Sequence, residues 1–218
     1  MQRISVEVWS DVACPWCYIG KRRLDTALSA VDGQLTVDVT FRSFELMPDL
    51  PEDFDGDAVD LLVTTKGIAP DQVRTMQGHV AAIAAGDGLD YDFASQRPAN
   101  TRRAHQLLQL AREQGRQAEM KERLFAAHFV EGRHIGRDGE LGDLAADVGL
   151  DRDAVVRALE QGTYLAAVGA DVAAAAKLGI RGVPFFVFDG RFAVSGAQPV
   201  EILRRAITEA ASSSVTRP

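Results

Sequence analysis

Strand-forming patterns occur only at the two ends of this 218-residue chain, and that distribution constrains its fold more than any other feature. Near the start, Ile4, Val6 and Val8 alternate with Ser5 and Glu7, the period-two pattern of a half-buried strand. A helical stretch follows, with Ile19, Leu24, Ala27 and Leu28 on one face and Lys21, Arg22 and Arg23 between them. Asp32-Gly33 marks a turn, and a second strand pattern sets Leu35, Val37, Val39 and Phe41 against Thr36, Asp38, Thr40 and Arg42. Strand texture returns only at 183–188 (VPFFVF), a continuous apolar run suited to burial on both faces. Asp189-Gly190 is a strong hairpin signal, and Arg191 to Ser195 supplies the antiparallel partner. Gly196 ends that partner strand, and Pro199 opens a last helix with Leu203, Ala206 and Ile207 inward. The predicted order is β-α-β, a helical insertion of about 120 residues, then β-β-α.

Between the two ends, Met47 to Asp57 is rich in Pro, Asp and Glu and reads as an exposed, solvated loop. Pro70 is predicted to open a helix with Val73, Met76, Val80 and Ile83 on one face and Gly86 closing it. A loop to Pro98 precedes a helix over Asn100 to Gly115 with the stripe Ala104, Leu107, Leu108, Ala111. Further helices are predicted over Ala118 to Val130, over Glu140 to Val148, and after Asp151 as N-cap. The last, Thr163 to Leu178, has Leu165, Val168, Val172 and Ala175 inward and Gly179 just past its end. The expected division is a mixed unit built from 1–50 and 179–212, an inserted helical unit over 57–178, and a frayed tail at 213–218.

Both cysteines of the chain lie at the first strand-to-helix turn, in Cys14-Pro15-Trp16-Cys17. Pro15 suits a first helical position, because the N–H it lacks has no partner there. Cys14 then sits at a helix N-terminus, where free N–H groups and the helix dipole favour a thiolate, so its pKa is expected to fall. Cys17 comes three residues later on the same face, within disulfide reach. The ring that such a pair closes is too small to stabilise a fold of this size. A zinc site needs four ligands and this motif supplies two; His79, His105, His128 and His134 add no ligand-like pairing beside it, so no metal is expected. The motif therefore points to thiol–disulfide exchange.

A net charge of −7 without a basic cluster argues against a nucleic-acid partner. No apolar run is long enough to span a bilayer, and the chain enters its first strand without a basic-then-apolar leader, so a cytoplasmic protein without a membrane partner is expected. Gly136, Gly139 and Gly142 follow no strand and make no dinucleotide fingerprint.

Four blocks, Ser10 to Lys21 (SDVACPWCYIGK), Phe44 to Leu50 (FELMPDL), Arg97 to Leu108 (RPANTRRAHQLL) and Gly182 to Pro199 (GVPFFVFDGRFAVSGAQP), together resemble the DsbA family of thiol–disulfide oxidoreductases, and its FrnE-like branch most closely. The resemblance implies an α/β fold, a thioredoxin-like core with a helical domain inserted between its halves. It implies Cys14 as nucleophile and Cys17 as the resolving thiol, tuned by Pro15 and Trp16. It also implies that Pro184 is cis and faces the cysteines, with the backbone of Val183 available to an extended substrate peptide. No cofactor is then required beyond the redox-active Cys14–Cys17 disulfide, with glutathione a candidate co-substrate. The partners implied are disulfide- or thiol-containing proteins or small molecules, and a reductant or oxidant that recycles the pair.

Three further residues are candidates for the site. Asp11 is either a turn residue or a carboxylate that raises the Cys14 pKa or relays protons, depending on distance. Asn100 and His105 lie in a family-like block. His105 is expected to be a satisfied, half-buried histidine, and so is His128 between Phe125 and Phe129. Two other functions compete with the leading one. Glutathione-dependent isomerases and kappa-type glutathione transferases share the inserted architecture, and there the cofactor's thiolate does the chemistry. A redox-independent holdase or adaptor would use the helical domain and Trp16 as a sticky surface.

Overall fold

In the computed structural model, which describes residues 2–214, nine strand residues open the chain as β1 (Gln2–Ser10). Their alternation buries Ile4, Val6 and Val8. A crossover through α1 (Pro15–Ser29) returns to β2 (Leu35–Ser43), which pairs parallel with β1 from Gln2↔Leu35 to Ser10↔Ser43. Six residues of α1, among them Ile19, Leu24 and Ala27, turn inward. Lys21, expected on the outer face, is buried with them, because Asp25 and Glu122 both reach its ammonium.

Seven helices follow without a strand: α2 (Ala58–Lys66), α3 (Pro70–Gly86), α4 (Arg102–Glu113), α5 (Gln117–Phe129), α6 (Asp138–Asp147), α7 (Arg152–Glu160) and α8 (Leu165–Lys177). Asp57 caps α2 by accepting from the Val59 and Asp60 N–H groups, and Asp151 caps α7 through Ala154 N–H. Two stripe assignments fail. Met76 of α3 is half exposed, at the rim of a groove described below. Leu165, at the outer start of α8, is exposed, and the buried face of that helix is Val168, Asp171 and Ala175. Asp171 goes inward because α8 packs on β2 and α4, where Ser43 N–H, Gln109 Nε2 and Arg42 all donate to its carboxylate.

The chain then returns to the sheet. β3 (Phe185–Phe188) lies antiparallel to β1 in the register Val8↔Phe186, and β4 (Phe192–Ser195) pairs with β3, giving the order β2-β1-β3-β4. The hairpin places Asp189 at φ 52° and Gly190 at φ 65°, as a two-residue type I′ turn requires. β3 is shorter than the apolar run: Val183 and Pro184 stay outside it, Phe186 and Phe188 are fully buried, and Phe185 and Val187 are only partly covered. α9 (Val200–Ser214) covers one face with Leu203, Ala206 and Ile207; of the tail expected at 213–218, residues 213–214 continue this helix and 215–218 lie outside the described residues.

The chain thus forms the expected β-α-β … β-β-α core with helices inserted between its halves. One apolar cluster sits between the sheet, α1 and α9; a larger one fills the helical part and includes Cys14, Cys17, Tyr18 and Ile19. Helix α1 therefore joins both, its start in the larger cluster and Leu24 and Ala27 in the smaller. No helix among the described residues is long and apolar enough to cross a membrane.

Candidate active site

The turn after β1 is set by a buried carboxylate. Asp11 accepts from Leu46 N–H at 2.7 Å and Ala13 N–H at 3.3 Å, and its Oδ1 lies 3.3 Å from His105 Nε2 on α4. The Asp11 carbonyl receives the Cys14 N–H, so the strand ends in a tight loop that delivers Cys14 to the N-cap of α1. Pro15 occupies the first helical position as expected. No side chain caps this end, and the Cys17 N–H, which donates to the Cys14 carbonyl at 3.0 Å, also favours the Cys14 thiolate.

Cys14 and Cys17 are both free and both buried, at 4% and 2% exposure. The Cys14 thiol lies 3.6 Å from the Val183 carbonyl oxygen, and the Val183–Pro184 peptide is cis. Sequence residues 169 apart thus meet in one place. The Val183 carbonyl, expected to be open to a substrate, is occupied by the Cys14 thiol in this dithiol state. Gly20, one turn after Cys17, permits the approach: a Cβ there would sit 2.8 Å from the Pro184 ring.

The electrostatics correct one expectation. The Cys14 pKa is raised, first by the hydrogen bond with Cys17, then by burial and by the charge of Cys17 and, more weakly, of Asp11, against a lowering by the Cys17 N–H. The neighbouring thiol and burial outweigh the helix N-terminus at Cys14, because two negative charges on so close a buried pair disfavour each other. Asp11 itself is lowered: burial raises it, and His105, the Leu46 N–H and Thr101 outweigh that burial. Asp11 is therefore a buried anion beside the pair and more than a turn residue.

His105 is completely buried, not half-buried, and only half satisfied: Nε2 faces Asp11 and Nδ1 has no partner among the described residues. His128 is likewise buried, with Gln96 on Nε2 at 2.8 Å and no partner for Nδ1 among the described residues. Asn100 does not join the thiols. Its amide donates to the Pro48 and Leu50 carbonyls, and its oxygen accepts from Arg102 N–H, tying the 48–50 loop to α4.

Sequence reasoning missed an aromatic and charged wall behind the cysteines. Tyr91, in the loop before α4, donates its hydroxyl to the Pro15 carbonyl at 2.7 Å. Tyr18 stacks on Phe125 with centroids 4.8 Å apart and donates to Glu122, which also holds Lys21 and Arg22. Lys121 of α5 is fully buried among them. None of these has a local sequence signal, since each is defined by a partner on another element. In front of the cysteines, Trp16 is 37% exposed and lines an apolar groove of about 300 Å³ with Leu46, Leu61, Met76, Phe93 and Phe129.

Comparison with known proteins places this geometry. The family model of the DSBA-like thioredoxin domain matches residues 5–208. A probable DsbA oxidoreductase from Streptomyces coelicolor is 38% identical and superposes with a TM-score of 0.88, covering 99% of this chain and 92% of that one. The cytosolic disulfide reductase DsbM from Pseudomonas aeruginosa is 25% identical with a TM-score of 0.62, covering 94% and 97%. The uncharacterized protein YwbO of Bacillus subtilis (strain 168) is 28% identical over 213 residues, 94% of this chain and 96% of that protein.

Proposed function

The chain belongs to the DSBA-like thioredoxin-domain family and is a thiol–disulfide oxidoreductase; from that premise we propose that Cys14 is its nucleophile and Cys17 its resolving thiol. The observation that carries this assignment is the position of Cys14: N-cap of α1, 3.6 Å from Val183 O, beside the groove that Pro15 and Trp16 line. Cys17 lies one turn deeper on the same face. In the forward direction the Cys14 thiolate attacks one sulfur of a substrate disulfide. A Cys14–substrate disulfide forms, and the other substrate sulfur leaves as a thiolate. Cys17, once deprotonated, attacks the Cys14 sulfur; the Cys14–Cys17 disulfide forms and the substrate's second thiolate departs. The substrate gains two electrons and the pair loses two. A reductant then restores the dithiol, and the reverse sequence would oxidise a substrate dithiol.

Val183 and Pro184 form the substrate-facing edge in this reading: a peptide arriving beside Cys14 displaces the thiol from the Val183 carbonyl and hydrogen-bonds in its place. The apolar groove supports substrates that carry apolar segments next to their disulfide. The cytosolic description of DsbM supports a cytoplasmic address for this chain as well. Persistent disulfides are uncommon there, which favours reductase or isomerase work, with glutathione or another thiol recycling the pair.

The test is insulin reduction by a small dithiol, run with the wild type, Cys14→Ser and Cys17→Ser. The wild type accelerates the reaction, Cys14→Ser falls to the uncatalysed rate, and Cys17→Ser accumulates a mixed disulfide visible by mass. Equal rates for wild type and Cys14→Ser overturn the assignment. Conjugating activity with millimolar glutathione that survives Cys17→Ser would move the reading to the glutathione-transferase alternative.

A further inference from the structure

Lys121 has no role in the exchange chemistry so far, yet its position is unusual. It lies in the first half of α5, is fully buried, and its ammonium has no hydrogen-bond partner among the described residues. The other buried lysine, Lys21, is held by two carboxylates; Lys121 is held by none. It stands instead over an aromatic face: Nζ lies 4.8 Å from the centroid of Phe125, one turn along the helix. Phe125 stacks on Tyr18, the residue after Cys17, so ammonium, Phe125, Tyr18 and the dithiol form one continuous packed group. A buried ammonium with no counter-charge in contact is costly to keep, and apolar residues of the same length would fill the space without that cost.

We propose that Lys121 is a positioning residue for the exchange reaction: its buried charge is the counter-charge of the thiolate that forms at the Cys14/Cys17 pair. This rests on the function proposed above. Lys121 touches neither sulfur and acts through the field between them, which a low-dielectric interior transmits well. The ionisable groups around it fit that role. Burial pushes its pKa down to about 8; Cys17, then Asp11 and Cys14, pull it up, and Lys21 opposes them. It stays protonated at neutral pH, and Cys17 acts on it more strongly than any other neighbouring charge. From the surrounding elements, His105 faces Asp11, His128 also senses the Asp11 charge, and Tyr91 is held neutral by burial, by Tyr18 and by the two cysteines. Among these groups Lys121 is the cation whose field reaches both thiols and that no carboxylate neutralises by contact. Asp11 works against it: its negative charge disfavours the thiolate that Lys121 favours. The pair thus sits between two buried charges of opposite sign, and thiolate formation depends on their balance.

Two measurements test this. In reduced Lys121→Met, followed by thiolate absorbance and by the alkylation rate of Cys14 against pH, the thiolate midpoint rises by about one unit. The rate at pH 7 correspondingly falls about tenfold. Lys121→Gln, neutral and polar, should behave alike and serves if the methionine variant does not fold. The second measurement needs no variant: because the coupling is reciprocal, the Lys121 ammonium followed by NMR in the wild type should titrate at lower pH in the disulfide form, which has no thiolate, than in the dithiol. A thiolate midpoint unmoved within about twofold in a folded variant, or a Lys121 titration indifferent to oxidation, overturns the inference. A wild type that performs no dithiol–disulfide exchange overturns the proposed function instead.

Discussion

His128 shows how a single buried side chain can control the acid limit of the molecule. Burial, with a small addition from His134, pushes its pKa from 6.5 to about 4, and the Asp11 charge offsets only part of that. The folded state therefore binds fewer protons than the unfolded chain between those two values. Stability contributed by the neutral ring is fully present above pH 6.5 and is lost as pH falls through about 4. The shift corresponds to about 3 kcal/mol at most. Urea midpoints at pH 7.5 and 4.5 should fall steeply for the wild type and less steeply, by roughly that amount, for His128→Gln. Identical slopes would mean that the ring is protonated, or hydrated, in the folded state.

At the scale of one element, α1 does three things that its sequence states separately. It presents Cys14 at its N-cap, buries Ile19 and Leu24, and lets the 183–184 loop approach at Gly20. Helix propensity alone would favour alanine at position 20 by about 1 kcal/mol. A methyl there would meet Pro184 Cγ at 2.8 Å and Phe186 Cζ at 3.2 Å, and the proline ring has little freedom to move aside. Overpacking of this kind costs about 1–3 kcal/mol, so the clash outweighs the propensity. Gly20→Ala is expected to lower stability by about 1–2 kcal/mol in thermal unfolding. It should also change the Cys14 alkylation rate, since the thiol loses its contact with Val183 O. A stabilised variant with unchanged reactivity would show that loop and helix shift together freely.

The whole molecule depends on a joint between the sheet and the inserted helices, and Asp171 is its centre. From α8 it accepts Ser43 N–H of β2, Gln109 Nε2 of α4 and an Arg42 N–H, while its own carbonyl takes the Trp9 indole N–H of β1. Asp171→Ala would leave the buried Ser43 N–H without its acceptor, Gln109 Nε2 with only Ser43 Oγ, and Arg42 with only Glu7. The expected loss is about 3 kcal/mol or more, a fall in Tm of roughly 6–12 °C for a chain of this size. Asp143→Ala, at an exposed pair with Arg152, serves as the comparison and should change stability by less than about 0.5 kcal/mol. Equal losses in the two variants would show that the joint is carried by apolar contacts alone.

Period-two alternation in β1 and β2, the Asp189-Gly190 turn, the proline at the start of α1 and the Asp151 cap were all legible in the sequence, because each is a local preference written in adjacent residues. The resemblance carried by the Cys14 and Pro184 blocks likewise identified the core and the dithiol. Three things were decided only in the folded chain. Asp171 and Lys21 turned inward although the apolar stripes of their helices lie elsewhere, and nothing local marked Lys121, because their burial depends on what packs against them or holds their charge. The Cys14 pKa moved opposite to the helix-terminus expectation, since a second buried thiol outweighs a helix end. The substrate-facing edge needed Val183 brought across 169 residues to Cys14. Local sequence fixes dihedral preferences and amphipathic faces; burial, charge pairing and contacts distant in sequence exist only once the elements have packed.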